Sequence, residues 1–425
     1  MLPTDTKRIG HAPPPASQSI PAAPDFTAPI LILTGICALV YFLDGLIHSI
    51  LGPLAPEMAR ALRLSTTQLG PIFSANLVGQ CVGLVVFPLV ASRAGQRLVV
   101  LACLAGFGLA QAATALADGP IALFVWRLVT GVFLGGCLPS CLALVTAAAP
   151  AKRRGLAIMM LFTGYGLGAT VAGLVAALFA DHGGWRAAMV AVAGLCILTA
   201  SVAWRWLREA PPGQERAAPL REPADKPNAL LILSRRYIVG TAMLWLLFIS
   251  MLTISYCLNS WLPTLLVEVG RSERFAAMSI SVFSLGGIIA ALGVGVLIDR
   301  LGAMRTLVSF LSVSTVLLFV IGRVLASASA EMLMSLLVVC GFFILGAYGG
   351  VNVVLASFYP ESLRAVGIGW TKSVGRIGTL VAPVLIGAGL SAGIAETTIM
   401  SLFAVPALLS TVSLLVIARV TGRRE

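Results

Sequence analysis

Twelve long apolar stretches, separated by short polar loops, are the feature that most limits what this chain can become. They run over 28–51, 68–91, 98–117, 121–146, 155–180 and 187–206, then over 238–267, 276–298, 306–326, 331–358, 366–390 and 397–418. A helix needs about 20 apolar residues to cross a bilayer. Each stretch is long enough, and only helices or closed barrels satisfy their own backbone in lipid. The spacing predicts an all-α polytopic membrane protein of twelve transmembrane helices. Composition agrees: 58% of the 425 residues are hydrophobic and 11% are charged, against about 25% charged in a soluble domain. A soluble enzyme and a disordered chain are both excluded.

The polar segments give the organisation. Residues 1–27 are rich in Pro, Ala and Ser, and lack the apolar core of a signal peptide. They read as a disordered cytoplasmic tail. A linker rich in proline and charge, 207–237, separates bundles predicted at 28–206 and 238–418, and 419–425 forms a second tail. Alternate loops hold only Arg60, Arg63, Arg186, Arg271 and Arg274 of the 29 basic residues. The loops carrying most of the others are predicted cytoplasmic, with both termini. The formal net charge of +12 then reads as attraction to anionic lipid rather than to nucleic acid. The halves also repeat. Ser92-Arg93-Ala94-Gly95 returns as Asp299-Arg300-Leu301-Gly302, and the Pro150–Arg154 loop returns as Pro360–Arg364, at the offsets 299 − 92 = 207 and 360 − 150 = 210. Two unrelated loops with nearly one offset point to a duplicated six-helix unit. Such repeats, with a site between them, are a transporter design.

Asp44 is the carboxylate placed deep in a helix, with His48 one turn on along the same face. An intramembrane charge costs at least about 2.5 kcal/mol and is functional by default. Asp44 is therefore the candidate proton carrier and His48 its candidate partner; the alternative is a polar pair that fixes packing. Arg127 heads a stripe with Gly131 and Gly135, spaced for close helix approach. Its planar fork suits a carboxylate, or an internal ion pair with Asp44. Lys372 and Arg376, one turn apart, add a second cationic site, although Lys372 could also snorkel to the interface. Two cationic sites against one carboxylate favour an anionic substrate. Tyr165, Tyr256, Tyr348 and Trp370 are candidates to stack on a ring. Asn76, Asn259 and Asn352 are candidates to hydrogen-bond it. Trp185 and Trp261 read as interfacial belt residues, and Arg323 as an anchor. Eight cysteines lie in apolar stretches without a CxxC pair and read as packing residues, so no metal or other cofactor is expected.

These residues carry a resemblance. Gly295, Asp299-Arg300 and Gly302 are similar to the loop motif of the major facilitator superfamily, and Arg127, Gly131 and Gly135 to its fourth-helix motif. Within it the chain looks most like the aromatic acid:proton symporters. The matching stretches are Asp44-Gly45, Leu69 to Ser74, Trp261 to Leu266, Tyr359-Pro360 to Ala365, Gly369-Trp370 and Gly375 to Gly378. Three positions depart from the pattern: Ile47 and Ser92 where Asp is usual, and Thr146-Ala147 where an acid is usual. The resemblance implies two pseudo-symmetric six-helix bundles in a bacterial inner membrane, a monomer, and proton-coupled uptake of an organic, aromatic carboxylate by alternating access. It also implies a cytoplasmic latch in the outward-open state from Arg93, Arg97, Asp299 and Arg300, with Ser92 removing one acceptor. Efflux of a drug or metabolite stays open, although no proline falls between 151 and 210, where drug antiporters carry Gly-Pro. Uniport of a non-aromatic acid stays open too. An intramembrane enzyme is disfavoured by the lack of HExxH, GxSxG or Walker glycines.

Overall fold

A computed structural model describes residues 28–150, 153–180, 183–207 and 229–422. The N-terminal tail, most of the linker and the last residues lie outside them. The described helices are α1 (Ala28–Leu62), α2 (Thr66–Ala94), α3 (Gln96–Ala115), α4 (Pro120–Ala148), α5 (Arg154–Ala180) and α6 (Gly184–Trp206). The second set is α7 (Ile238–Glu268), α8 (Glu273–Leu301), α9 (Ala303–Val324), α10 (Ala330–Phe358), α11 (Glu361–Ser391), α12 (Glu396–Leu402) and α13 (Ala404–Gly422). They make twelve apolar spans. We call the side on which α1 begins the near side, and the other the far side.

Local chemistry sets the ends. On the far side Ser272 and Ser329 cap α8 and α10, their hydroxyls accepting from the backbone N–H of Phe275 and Met332. Gln68 accepts from the N–H of Ser65 ahead of α2. On the near side α2 passes to α3 through Gly95 alone, and α8 to α9 through Gly302 alone, both at φ of 85°. That conformation favours glycine. The repeated loop is thus the same tight turn made twice, 207 residues apart (302 − 95). Two boundaries differ from expectation. α1 continues through Pro53 and Pro56 to Leu62 instead of stopping at 51. The last span breaks at Phe403, where Pro406 has no N–H to offer the preceding turn.

The helices form two pseudo-symmetric six-helix bundles. Within the first, α1 packs on α5 and α2 on α4; within the second, α7 packs on α11 and α8 on α10. Between bundles, α1 meets α7, α2 meets α11 and α5 meets α8. The last two pairings exchange under the repeat. Glycine allows the closest approaches. A Cβ on Gly79 or Gly83 of α2 would strike the carbonyls of Leu128 or Val132 on α4, and one on Gly131 or Gly135 would strike those of Asn76 or Gln80. The glycine stripe below Arg127 is therefore half of a four-glycine interface.

The seam between the bundles is one-sided. On the far side Arg60 is paired with Glu273, the hydroxyls of Thr66 and Ser391 are 2.7 Å apart, and Trp261 meets Phe73 edge-to-face at 5.2 Å. Gly52 admits the backbone of Asn259, and Gly70 that of Pro383. One hydrophobic core runs through the first bundle and across this seam into the far half of the second. The near half of the second bundle has a separate core around Leu244, Phe310 and Val351. Two of the expected belt residues are accordingly not at a lipid interface. Trp261 is 0% exposed in the seam, and Trp185 is 3% exposed where its backbone N–H donates to Glu57 at the start of α6. Hydropathy locates a tryptophan along a helix but not around it.

The four-glycine interface generates a stability prediction. Gly135→Leu forces α2 and α4 apart and is expected to cost about 1–3 kcal/mol or more, as overpacking does. Thermal unfolding in detergent reads this as a lowered transition. Gly155→Ala, with nothing within 4 Å of its added Cβ, is the neutral control. A Gly135→Leu protein that melts with the parent contradicts the packing argument.

Candidate functional site

Polar side chains gather where the seam ends, at mid-span. α1 supplies Tyr41, Asp44 and His48, at spacings of three and four that share a face. α5 supplies Tyr165, and a Cβ on Gly45 would strike its carbonyl oxygen. The glycine after Asp44 thus seats α5, and its tyrosine, directly on α1. The rings form a chain. Tyr41 and Tyr165 are 5.2 Å apart, Tyr165 and His48 6.2 Å, and His48 meets Tyr256 of α7 edge-on at 4.9 Å. The chain crosses from one bundle to the other. His48 Nδ1 also faces the Gln80 amide at 3.4 Å.

The charges follow the same division. Asp44 is 7% exposed, and one of its oxygens is buried with no partner. Among the described residues no ion pair joins it to Arg127, the pairing weighed from the sequence. The cation acting on Asp44 is Arg376, from the opposite bundle. Arg376 is half-buried and reaches into the first bundle, its Nη1 3.8 Å from the sulfur of Cys81. Arg127 is 0% exposed. Its Nη1 donates to the Gln111 side chain and its Nη2 to the Ile47 carbonyl, each at 3.2 Å, and its Nε has no partner. Gln111 in turn donates to the Met189 sulfur. In this conformation Arg127 is sealed behind α1, fixing the turn that carries Asp44 and His48.

The other sequence candidates are distributed differently. Asn259 stands at the far-side seam, its backbone against Gly52. Asn76 is buried at the α2–α4 interface. Asn352 donates to the carbonyls of Tyr348 and Gly349 on its own helix, and lines a near-side depression with Ser357 and Arg364. Trp370 is half exposed and stacks on Trp245 at 6.3 Å. Lys372 is exposed, one turn nearer the near side than Arg376. Arg93, Asp299 and Arg300 are exposed, and no ion pair among described residues joins them. Arg97 instead donates to the Trp204 carbonyl at 2.9 Å. The latch was expected in the outward-open state; here the bundles are joined on the far side. All eight cysteines are free, and no group of ligating residues able to hold a metal occurs among the described residues. Sequence reading missed Tyr41, Gln80 and Gln111. Tyr41 was legible as one turn before Asp44; the two glutamines were legible only as polar residues at mid-span.

Comparison with known proteins agrees with this architecture. A family model described as Major Facilitator Superfamily matches residues 37–383 and, in a second overlapping match, 244–425. The chain is 30% identical over 412 residues to a gallate transporter of Pseudomonas putida, covering 91% of this chain and 90% of that one. It is 29% identical over 415 residues to the 4-hydroxybenzoate transporter PcaK of Acinetobacter baylyi, covering 90% and 89%. In fold alone it is similar to a D-xylose-proton symporter of known crystal structure, with a TM-score of 0.74 at 14% identity, covering 91% of this chain and 97% of that one. The family match and the two relatives that span nearly the whole chain identify it as a member of the major facilitator superfamily, an integral membrane transporter.

Proposed function

We propose that this protein carries an aromatic carboxylate across the membrane together with a proton, by alternating access. The observation that carries the reading is the ring chain Tyr41–Tyr165–His48–Tyr256 running between the bundles beside Asp44 and Arg376. Two relatives named for gallate and for 4-hydroxybenzoate support the substrate class. A planar anion needs flat apolar faces and one fixed cation. The tyrosines offer the faces. Arg376 offers a fork able to hold both carboxylate oxygens.

The proton has a definite place in this scheme. Asp44 and the substrate carboxylate compete for Arg376. A proton on Asp44 removes one competitor and releases the guanidinium to the substrate. Loss of that proton returns Arg376 to Asp44 and expels the anion. Arg127, with no acid paired to it among the described residues, adds a fixed positive field and holds α1 in register. With both termini in the cytoplasm the conformation described is inward-facing. The seam of Arg60–Glu273, Thr66–Ser391 and Phe73–Trp261 then bars the outside.

Three outcomes test this reading. In proteoliposomes recording internal pH, external 4-hydroxybenzoate is expected to acidify the lumen beyond empty liposomes, and Asp44→Asn to abolish that acidification. Labelled acid entering with no protein-dependent proton movement would make Asp44 structural and the protein a uniporter or exchanger. No carboxylate entering at all would reject the import reading. Arg376→Lys keeps the charge but loses the fork, and half-saturation for the acid is expected to rise about tenfold or more. An unchanged value places the carboxylate elsewhere. The pair Thr66→Cys and Ser391→Cys replaces hydroxyls 2.7 Å apart. Its oxidation is expected to stop uptake, and reduction to restore it. Uptake that continues through the cross-linked protein rules out alternating access at this seam.

A further inference from the structure

The near-side end of α6 carries two arginines laid on two tryptophans. Arg97, in the first turn of α3, lies over the Trp204 ring at 5.5 Å while bonded to the Trp204 carbonyl. The next residue of α6, Arg205, lies over Trp206 at 5.5 Å. Both indoles face outward, Trp204 being 64% and Trp206 53% exposed. Among the described residues no carboxylate pairs with either guanidinium, and Nε of Arg97 is buried without a partner.

The far-side end of the same helix is a useful contrast. There Arg186 lies over Trp185, but that indole is buried. The guanidinium is also committed to the carbonyls of Ala115 and Ala117 and to Asp118. The near-side stacks have the same chemistry with fewer commitments: Arg97 donates to the Trp204 carbonyl, and among the described residues no carboxylate pairs with it or with Arg205. In a membrane protein, exposed indoles at a helix end sit at the level of the lipid headgroups. Stacking on an indole face fixes a guanidinium flat and leaves its in-plane N–H donors free for an oxyanion. Directly below, Ile197, Leu198 and Val202 present an exposed apolar strip on α6, as an acyl chain requires.

We propose that Arg97, Trp204, Arg205 and Trp206 form a binding site for the phosphate of an anionic glycerophospholipid, with its acyl chains along α6. The site lies outside the transport pathway, and holds α3 to α6 at the surface where the basic loops meet the bilayer.

The test uses the full chain in detergent micelles, read by native mass spectrometry after adding phosphatidylglycerol or phosphatidylcholine of matched chains. A phosphatidylglycerol adduct is expected to be retained and a phosphatidylcholine adduct lost. Arg205→Gln, a change at an exposed position, and Arg97→Gln are each expected to lower occupancy about fivefold, the worth of one basic residue at an anionic surface. Trp204→Leu is expected to lower it with the charge intact. Arg305→Gln, an exposed basic residue of the second bundle, is expected to leave it unchanged. Equal retention of phosphatidylcholine, an equal loss in Arg305→Gln, no loss in Arg205→Gln, or displacement by excess inorganic phosphate would each overturn the proposal. The last would mark a free-anion site.

Discussion

Asp44 is a carboxylate that its own bundle does not neutralise, and the arrangement of the site depends on that. One oxygen is buried without a partner, and the cation acting on it, Arg376, belongs to the other bundle. An isolated charge in a low-dielectric interior is costly. The electrostatic stability of the centre therefore varies with the distance between bundles and with the protonation of one group. A carboxylate paired inside its own bundle, as Asp44 with Arg127 would be, would not feel the distance between bundles. The buried Arg127 is bonded to neutral partners instead, Gln111 and the Ile47 carbonyl. It stabilises the geometry of α1 without quenching Asp44.

On the proposed reading each bundle holds its shape while the boundary between them opens and closes. Inside the first bundle, α2 and α4 approach through Gly79, Gly83, Gly131 and Gly135, closely enough that a Cβ at any of them would meet backbone. Contacts between backbones have no rotamers to adjust, which stiffens the pair. The boundary has glycine approaches of its own, at Gly52 and Gly70, and adds an exposed ion pair, two hydroxyls and an edge-to-face aromatic pair, all toward the far side. The ion pair and the hydroxyl pair are each worth about 1 kcal/mol or less net. A continuous core backs these contacts on the far side, and a separate core lies behind the near half of the second bundle. On the proposed reading, parting the near sides leaves both cores intact.

Much of this was legible in the sequence because lipid leaves a chain few options. The twelve spans followed from length and apolarity, and the repeat from two loops at one offset. The structure gives that offset a cause in the paired turns at Gly95 and Gly302. The site was legible in part. Asp44, His48, Tyr165, Tyr256 and Arg376 were each singled out as charged, polar or aromatic residues at depth, and they converge. Asn259 and Asn352 satisfied the same criterion and stand elsewhere, because depth along a helix does not determine azimuth around it. The tryptophans show the limit clearly. Trp185 and Trp261 are buried while Trp204 and Trp206 are exposed, although all four lie toward helix ends. Only the packing of neighbouring helices separates them. The partner of Arg127 was hidden for a related reason: Gln111 sits on α3, and no local pattern links the two positions.

The charge count constrains the transport scheme further. The centre holds Arg376 and the sealed Arg127 against Asp44, with His48 edge-on to Tyr256. On the proposed reading, an anion arriving with a proton on Asp44 leaves two cations facing one carboxylate, as in the empty deprotonated site. Loading thus keeps the net charge of the moving centre constant. A translocation that shifts the same net charge loaded or empty adds no new desolvation penalty in the loaded direction. The anion without its proton would bring a second carboxylate beside Asp44. The proton without the anion would leave both cations unopposed. On the proposed reading the proton alone raises the net charge of the centre, which is costly in a low-dielectric site, while the anion alone meets Asp44 as a competitor for Arg376.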